Sequence, residues 1–228
     1  MIKEHNIVEG KSKFVTLSYS NPNFVYFAKI VSGDLQPQIA LQAGYPAYYS
    51  EAAGLFPDND AIHYLLGFCE YYQGDGDGAR AQYEKSVELN PDFFWVYYNL
   101  GVMYFKRGEL LKSALILNKA ISLRKDRTIV DLNQNPFYWQ IWHHLDNPGQ
   151  ILQSNLSEGI EDAALLLAAC LVKKGMYDQA LQIIQSVGQA NPWHGDLWRQ
   201  LHQKAINRQP LGHELVGSLQ EQVQVRLF

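Results

Sequence analysis

Apolar residues recur along residues 60–127 with the period of an α-helix, and the pattern occurs twice. In each copy a bulky residue, a leucine and a glycine stand at positions i, i+3 and i+4, which share one face of a helix. Gly67 and Gly101 are the glycines of the two copies and lie 34 residues apart. Because glycine has no side chain, a second helix can pack closely there. The sequence therefore predicts two consecutive helix-turn-helix units.

Turn signals separate the helices of these units. Gly74-Asp75 and Gly108-Glu109 follow the two first helices, and glycine suits the left-handed backbone that commonly ends a helix. Asn90-Pro91 follows the second helix of the first unit. Proline cannot continue a helix but is favoured at the start of the next one, so this pair closes one unit and opens the other.

The unit resembles the tetratricopeptide repeat, whose pattern runs from a bulky residue through Leu-Gly, an aromatic residue and small residues to a proline. The copies depart from it at Glu70, which replaces an aromatic residue, and at Lys125, which replaces the proline. The resemblance implies an all-α fold, a right-handed superhelical solenoid of helix-turn-helix repeats. The matching residues are His63, Leu66, Gly67, Ala79, Tyr83, Ser86, Asn90 and Pro91 in the first copy and Tyr97, Leu100, Gly101, Tyr104, Ser113, Leu117 and Ala120 in the second.

Weaker copies of the pattern extend the repeat region on both sides. We predict an N-terminal arm over 1–25, a repeat region over 26–209 and a C-terminal capping helix over 210–228. A solenoid exposes apolar ends, so both terminal elements are expected to act as caps. Within the repeat region the best copies are 60–93, 94–127 and 161–194, and the irregular stretches are 26–59 and 128–160.

Two prolines fall where a regular repeat would have helix interiors. Asn135-Pro136 and Asn147-Pro148 are typical of a capping residue followed by proline at the first helical position. We therefore expect two short helices, over 136–145 and 148–155. The pattern fits a decayed repeat and an insertion equally.

Composition and charge narrow the class of partner. The chain of 228 residues is 47% apolar and 18% charged, with a formal net charge of -4, which is typical of a globular protein without a basic surface for nucleic acid or anionic lipid. The sequence contains neither a signal-peptide core nor a run of 18 uncharged apolar residues. We expect a cytoplasmic protein with protein or peptide partners, without nucleic acid and without membrane insertion.

Candidate metal and catalytic motifs all favour a structural interpretation. The glycine-aspartate run at 74–78 lacks the later ligands of a calcium loop, and the adjacent His143 and His144 point about 100 degrees apart on a helix. His194 and His202 have no carboxylate or cysteine at ligand spacing. Without a nucleophile elbow or a phosphate-binding loop, the chain is predicted to be non-catalytic, with no cofactor and no metal.

The first helix of each repeat is apolar nearly all round, which is unusual for a helix that faces solvent. We expect the face away from its partner helix to line a concave, partner-binding groove. The predicted groove residues are Tyr64, Phe68, Tyr71, Trp95, Tyr98, Val102, Phe105 and Lys106. Soluble proteins rarely leave such a surface bare, so either neighbouring helices and the chain's own arm cover it, or a partner does. The sequence leaves both alternatives open.

The groove differs from that of the tetratricopeptide repeats that capture a terminal carboxylate. Tyr64 and Phe68 stand where that clamp needs Lys and Asn, and Asn99 alone fits. The resemblance therefore implies a scaffold or adaptor that binds an apolar or aromatic-rich peptide or helix. The alternatives are an accessory or regulatory domain of an enzyme or of a secretion or assembly system, for example a glycosyltransferase-linked repeat domain, and a structural homo-oligomer built through the terminal helices.

Overall fold

A computed structural model describes residues 23–40, 45–123, 132, 134–187 and 194–228, and within that part every regular element is a helix. The helices are α1 Asn23–Val31, α2 Pro37–Ala40, α3 Tyr45–Leu55, α4 Asp60–Tyr72, α5 Gly76–Leu89, α6 Phe94–Lys106, α7 Leu110–Ser122, α8 Pro136–Trp142, α9 Pro148–Lys173, α10 Tyr177–Val187, α11 Gly195–Ile206 and α12 His213–Gln222. The predicted arm over 1–25 lies almost wholly outside the described residues.

The described residues form two compact units, and each is presented by itself. The first unit contains the described residues of Met1–Phe93, Asp126–Leu152 and Leu227–Phe228. The second contains those of Phe94–Lys125 and Gln153–Arg226. One of the two best repeats therefore belongs to each unit.

Local signals in the sequence set the ends of the helices in the first repeat, α4 and α5. Asn59 caps α4, because its Oδ1 accepts hydrogen bonds from the main-chain nitrogens of Ala61 at 3.1 Å and Ile62 at 3.4 Å. Gly74 follows α4 with a φ of 90°, a left-handed conformation that glycine adopts without strain. The chain can therefore turn at once into α5.

Close approach at a glycine holds the two helices of each repeat together. In the first unit, a Cβ atom on Gly67 of α4 would lie 3.0 Å from the ring of Tyr83 on α5. In the second, a Cβ atom on Gly101 of α6 would lie 2.5 Å from Cγ of Leu117 on α7. Ser113 of α7 donates a hydrogen bond to the carbonyl oxygen of Gly101 at 2.9 Å. Both repeats thus depend on small residues at the contact.

The first predicted short helix is present but ends early. Asn135 caps it through a hydrogen bond from the main-chain nitrogen of Phe137 at 3.1 Å, and the helix ends at Trp142 rather than at 145. The chain then turns before α9. Asn147 has a positive φ of 53°, and it precedes Pro148, which disfavours helical geometry in the residue before it.

The second predicted short helix is wrong in its length. The structure has one helix, α9, from Pro148 to Lys173, where we expected a break after 155. No proline interrupts this stretch, and Gly159 serves packing rather than ending the helix, since a Cβ atom there would lie 2.8 Å from the ring of Trp95. The cost of about 1 kcal/mol for glycine inside a helix is accepted where only glycine fits.

The predicted helix over 210–228 is helical only over His213–Gln222. Val223 leaves the helix with an extended backbone, φ -93° and ψ 120°. We call the residues after the helix segment 223–228. Val223, Val225 and Leu227 are buried at 1, 2 and 2% exposure, whereas Gln224 is exposed. This alternation is typical of an extended chain with one buried face. The capping role expected for this region stays a prediction.

Substitution of Gly101 by Ala should destabilise the chain. The new methyl group would overlap the side chain of Leu117, and overpacking of this kind costs about 1–3 kcal/mol. Urea denaturation followed by circular dichroism measures the change in the free energy of unfolding. Gly217→Ala, inside α12 with no atom within 4 Å of its Cβ position, is the control and should be neutral or stabilise by up to about 1 kcal/mol. Equal effects of the two substitutions would contradict the packing account.

Candidate functional site

The predicted site residues lie on α4 and α6, the first helices of the two repeats. Tyr64, Phe68 and Tyr71 belong to the first unit, and Trp95, Tyr98, Val102, Phe105 and Lys106 to the second. All are buried except Tyr71 and Lys106, which are half-buried. The aromatic rings are therefore covered in the folded chain, and their neighbours show what covers them.

In the first unit, the last two residues of segment 223–228 cover Tyr64. The hydroxyl group of Tyr64 donates a hydrogen bond to the carbonyl oxygen of Leu227 at 2.6 Å. The Phe228 ring stacks on the Tyr64 ring with 5.9 Å between the ring centroids. The rings of Phe93 and Tyr138 complete the cluster, at 5.2 and 6.0 Å from Tyr64. An extended piece of the chain itself thus occupies this position.

Phe68 and Tyr71 have helical neighbours instead. The Phe68 ring lies 6.2 Å from Phe27 of α1 and 4.9 Å from Tyr72. The Tyr71 ring lies 5.1 Å from Tyr72, and burial raises the pKa of the Tyr71 hydroxyl. The contact of Phe68 with Phe27 corresponds to the alternative in which neighbouring helices cover the rings, whereas Tyr72 belongs to α4 itself.

In the second unit, Tyr98 binds the main chain of segment 223–228. Its hydroxyl lies 2.9 Å from the carbonyl oxygen of Gln224 and 3.1 Å from Oδ2 of Asp162. Burial raises the pKa of Tyr98 well above its ordinary value. The hydroxyl therefore stays protonated and acts as a hydrogen-bond donor. A single proton serves two acceptors, which ties the segment to the carboxylate of Asp162.

Asn99 holds the segment at two points. Its Nδ2 donates to the carbonyl oxygen of Arg226 at 2.8 Å, and its Oδ1 accepts from the main-chain nitrogen of the same residue at 2.9 Å. Asn99 is fully buried. Because a shift by one residue would turn alternate side chains to the other face, this two-point pairing fixes the register of the segment.

Asn99 was missing from the predicted site, although the sequence carried a signal for it. It is a side-chain amide inside α6, whose residues from Phe94 to Phe105 are all buried. A buried amide needs hydrogen-bond partners. An asparagine within such an apolar helix therefore indicates that something polar, here a peptide backbone, lies against it.

Lys106 lies at the end of α6 and contacts the chain just before and within the segment. Its Nζ donates to the carbonyl oxygen of Gln220 at 2.6 Å and to Oε1 of Gln224 at 2.9 Å. Burial lowers the pKa of Lys106. The ammonium group therefore helps to end α12, whose last carbonyl groups have no partner within the helix.

Trp95, Val102 and Phe105 are packing residues of the second unit, with exposures of 1, 0 and 2%. The Trp95 ring lies 5.6 Å from Tyr98 and rests against Gly159 of α9. Its truncation to Ala would open a cavity. A loss of binding in that variant could not be separated from a loss of folding, so Trp95→Ala is a poor test of the groove.

A charged cluster beside Tyr98 was not predicted. Asp162 of α9 is only 2% exposed, and its Oδ2 lies 2.8 Å from Nη2 of Arg226. Glu158, one turn earlier on α9, lies 3.0 Å from Nη1 of the same arginine. His194 completes the cluster, with Nε2 at 2.8 Å from Oδ1 of Asp162. No local motif joins the cluster, because Tyr98, His194 and Arg226 are far from Asp162 along the chain.

Asp162 raises the pKa of His194 by accepting a hydrogen bond from it, whereas burial and the nearby Arg226 oppose this rise. The folded chain therefore holds the His194 proton more tightly than the unfolded chain does. The resulting stabilisation is complete below the unfolded pKa of about 6.5 and is lost as the pH rises through the folded pKa.

Segment 223–228, rather than the N-terminal arm, supplies the cover that the structure describes. We expected the arm over 1–25 as a possible cover, but nearly all of it lies outside the described residues. The sequence of the segment, Val-Gln-Val-Arg-Leu-Phe, alternates apolar and polar residues, a pattern that favours an extended chain over a helix. This alternation was the feature of the sequence that could have predicted an extended segment at 223–228.

Neither a metal centre nor a membrane span is found in the described part of the chain. There, no three His, Cys, Asp or Glu side chains are grouped so that they could hold a metal ion. In the same residues, no helix combines the length and the apolar character that crossing a membrane requires.

Replacing His194 with Gln should remove a pH dependence of stability. In the unchanged chain, the melting temperature should fall as the pH rises from about 6.5 to 8.5, because the bound proton is lost. The fall should be smaller in His194→Gln. His202→Gln, on α11, is the control and should keep it. Burial and nearby Asp75 raise the pKa of Glu70 to about 6. The titration of Glu70 therefore changes the stability mainly below this pH range. An unchanged fall in His194→Gln would contradict the pairing with Asp162.

Comparison with known protein families identifies the repeats. Family models described as "TPR repeat" and "Tetratricopeptide repeat" match residues 70–108, 96–127 and 162–192. The first two matches together run from the end of α4 through α7, and the third covers the end of α9 with α10. All three lie within 60–127 and 161–194, and the predicted bounds of the single repeats stay a prediction.

Curated relatives match about a third of the chain. The chain is 31% identical over 75 residues to "TPR repeat-containing protein MJ1428" of Methanocaldococcus jannaschii, covering 32% of this chain and 13% of that protein. It is 35% identical over 75 residues to "Photosystem I assembly protein Ycf3" of Acaryochloris marina, covering 32% of this chain and 45% of that protein. The chain thus spans less than half the length of these relatives.

Among solved structures, one titled "Functional Characterization of Pseudomonas Aeruginosa pilF" aligns over 94% of this chain and 90% of its own, at 15% identity and a TM-score of 0.34. That similarity is too low to support an argument. The family matches and the helix pairs of the structure confirm the predicted all-α repeat fold. The chain contains tetratricopeptide repeats, over residues 70–127 and 162–192.

Proposed function

We propose that the chain is a protein-interaction scaffold whose repeat helices bind an extended, apolar peptide of a partner protein. In the second unit the peptide would take the position of residues 223–226 against α6, and in the first unit a peptide would take that of Leu227 and Phe228 against α4. The residues proposed to hold its main chain are Tyr64, Tyr98 and Asn99, with Lys106 at the end of α6. The other residues predicted from the sequence are proposed to form the packed base of the site: Phe68, Tyr71, Trp95, Val102 and Phe105.

The hydrogen bonds to segment 223–228 are the observation that supports this proposal. Tyr64, Tyr98 and Asn99 bind main-chain atoms of Leu227, Gln224 and Arg226. Main-chain groups are the same in every peptide. Side chains that bind them therefore suit any extended segment that presents apolar residues at alternate positions.

An extended ligand fits these side chains better than a helical one. Inside a helix, each carbonyl oxygen already accepts a hydrogen bond from a nitrogen four residues later. The main-chain oxygens of a helical ligand would not be free for Tyr64, Tyr98 and Asn99. We therefore favour the peptide over the helix among the two ligands that the sequence suggested.

A partner has to compete with the chain's own segment. A tethered segment acts at an effective concentration on the order of millimolar, so a partner peptide binds only if it makes better contacts or arrives with further contacts elsewhere. This competition keeps weak, nonspecific peptides out of the groove.

We infer a non-catalytic role, in keeping with the repeat family. The printed name of the Acaryochloris marina relative assigns that protein to photosystem I assembly. For this chain we take over only the general role of bringing proteins together. Bringing proteins together requires nothing more than a surface that binds them, so the proposal needs no catalytic residue.

In a chain that carries Arg226→Gln, whose own segment loses its pairing with Asp162 and competes less, Asn99→Ala should weaken peptide binding about tenfold or more, because two hydrogen bonds to the ligand backbone are lost. Suitable ligands come from a library of displayed peptides selected on the unchanged chain. Fluorescence anisotropy then measures their affinity for the Arg226→Gln chain with and without Asn99→Ala. Hydrogen exchange at 223–228 should increase when a selected peptide binds, because the peptide displaces the segment.

Asn118→Ala provides the matched control, since Asn118 is an exposed asparagine on α7. It should leave affinity unchanged. Tyr98→Phe, which keeps the ring and removes only the hydroxyl, should weaken binding in the same direction as Asn99→Ala. If selected peptides bound both substituted chains as tightly as the unchanged one, with melting temperatures preserved, the binding site would lie elsewhere.

A further inference from the structure

We propose that the groove selects partner segments with an arginine in the position of Arg226, and that Asp162 and Glu158 read this arginine. The inference rests on the proposed function and adds the chemistry of the partner. The occupant is then an extended segment of a partner protein in which an arginine stands between two apolar residues.

The arginine site is built mainly from one helix. Glu158 and Asp162 are four residues apart on α9 and therefore lie on the same face. Each carboxylate contacts a different nitrogen of the Arg226 guanidinium, at 3.0 Å from Glu158 and 2.8 Å from Asp162. The planar guanidinium group can satisfy two carboxylates at once, which a single ammonium group does with less precise geometry.

The buried carboxylate of Asp162 requires a positively charged partner. Its side chain is 2% exposed, so water cannot replace a missing partner. Tyr98 and His194 contribute hydrogen bonds to it, but neither brings the permanent charge of a guanidinium. With Arg226 gone and nothing in its place, a buried carboxylate would stand one turn from Glu158, a second negative group. A neutral ligand would leave that charge uncompensated, and an acidic ligand would be repelled.

In the second unit, different residues bind the main chain of the segment and contact its arginine side chain. Asn99 and Tyr98 hold main-chain atoms and are indifferent to sequence. Val225, which precedes Arg226 in this unit, is buried, and its position favours an apolar residue of moderate size. Asp162 and Glu158 contact a side chain alone. They can therefore distinguish one extended apolar segment from another by the charge of its side chain.

The test uses a fluorescein-labelled heptapeptide, Gln-Val-Gln-Val-Arg-Leu-Phe, which reproduces residues 222–228, and a second peptide with Ala in place of Arg. The protein is the full chain carrying Arg226→Gln, whose own segment has lost its charge and competes less. Fluorescence anisotropy should show that the arginine peptide binds at least about tenfold more tightly than the alanine peptide. Addition of Asp162→Asn to this chain should remove most of the difference.

Arg199→Gln is the matched protein control, because Arg199 is an exposed arginine of the same unit. That chain keeps its own segment and should bind the labelled peptide more weakly than the Arg226→Gln chain. If circular dichroism shows that Arg226→Gln does not fold, the unchanged chain replaces it, with the peptides in excess over the tethered segment. The arginine peptide should then still bind the more tightly.

Each outcome separates this inference from the proposed function. Equal binding of the two peptides would overturn the arginine preference and leave peptide binding intact. Binding of neither peptide to a folded chain would overturn both, because the segment would then be a fixed part of the core. If the unchanged chain formed dimers that the arginine peptide dissociated, the occupant would be a second copy, and its assignment to a different protein would be overturned.

Discussion

Main-chain polar groups that leave a helix inside a protein need new hydrogen-bond partners, and this requirement organises the covered faces of α4 and α6. After Val223 the chain is no longer helical, yet alternate side chains of segment 223–228 remain buried. Tyr64, Tyr98 and Asn99 supply the missing partners. Without them, each unpaired buried group would cost on the order of 1–3 kcal/mol. The polar atoms on otherwise apolar helices are thus explained by the extended chain they bind.

The close packing of helices depends on a second constraint, which is space. Gly67 and Gly101 let the paired helices of each repeat approach. Within the second unit, Gly159 likewise leaves space for the ring of Trp95. Glycine lowers the stability of an isolated helix, so it is tolerated at these positions because a larger residue would force the packed side chains out of their places.

One buried carboxylate links the packing of the second unit to its electrostatics. Asp162 accepts from Tyr98, Arg226 and His194 together, and such a group is stable only while its partners remain. The site is therefore sensitive to the charge of whatever lies against α9. The main-chain contacts at Asn99, in contrast, are insensitive to sequence. The second unit therefore combines main-chain hydrogen bonds from α6 with a charge-sensitive pair of carboxylates on α9, as the proposed peptide-binding surface requires.

The sequence by itself determined the repeat helices, because their periodicity, glycines and caps are local signals. The turns at Gly74 and Gly108 and the cap at Asn135 are of this kind. Helix α9 was misjudged because the fit of Gly159 against Trp95 joins residues far apart along the chain. The site divided in the same way. The aromatic positions on α4 and α6 followed from helical spacing, whereas the occupant of that face and the pairing of Arg226 with Asp162 were decided only by the tertiary structure. Contacts between distant residues leave no periodic trace in a single sequence, and the alternating residues of segment 223–228 indicated its extended form but not what it would contact.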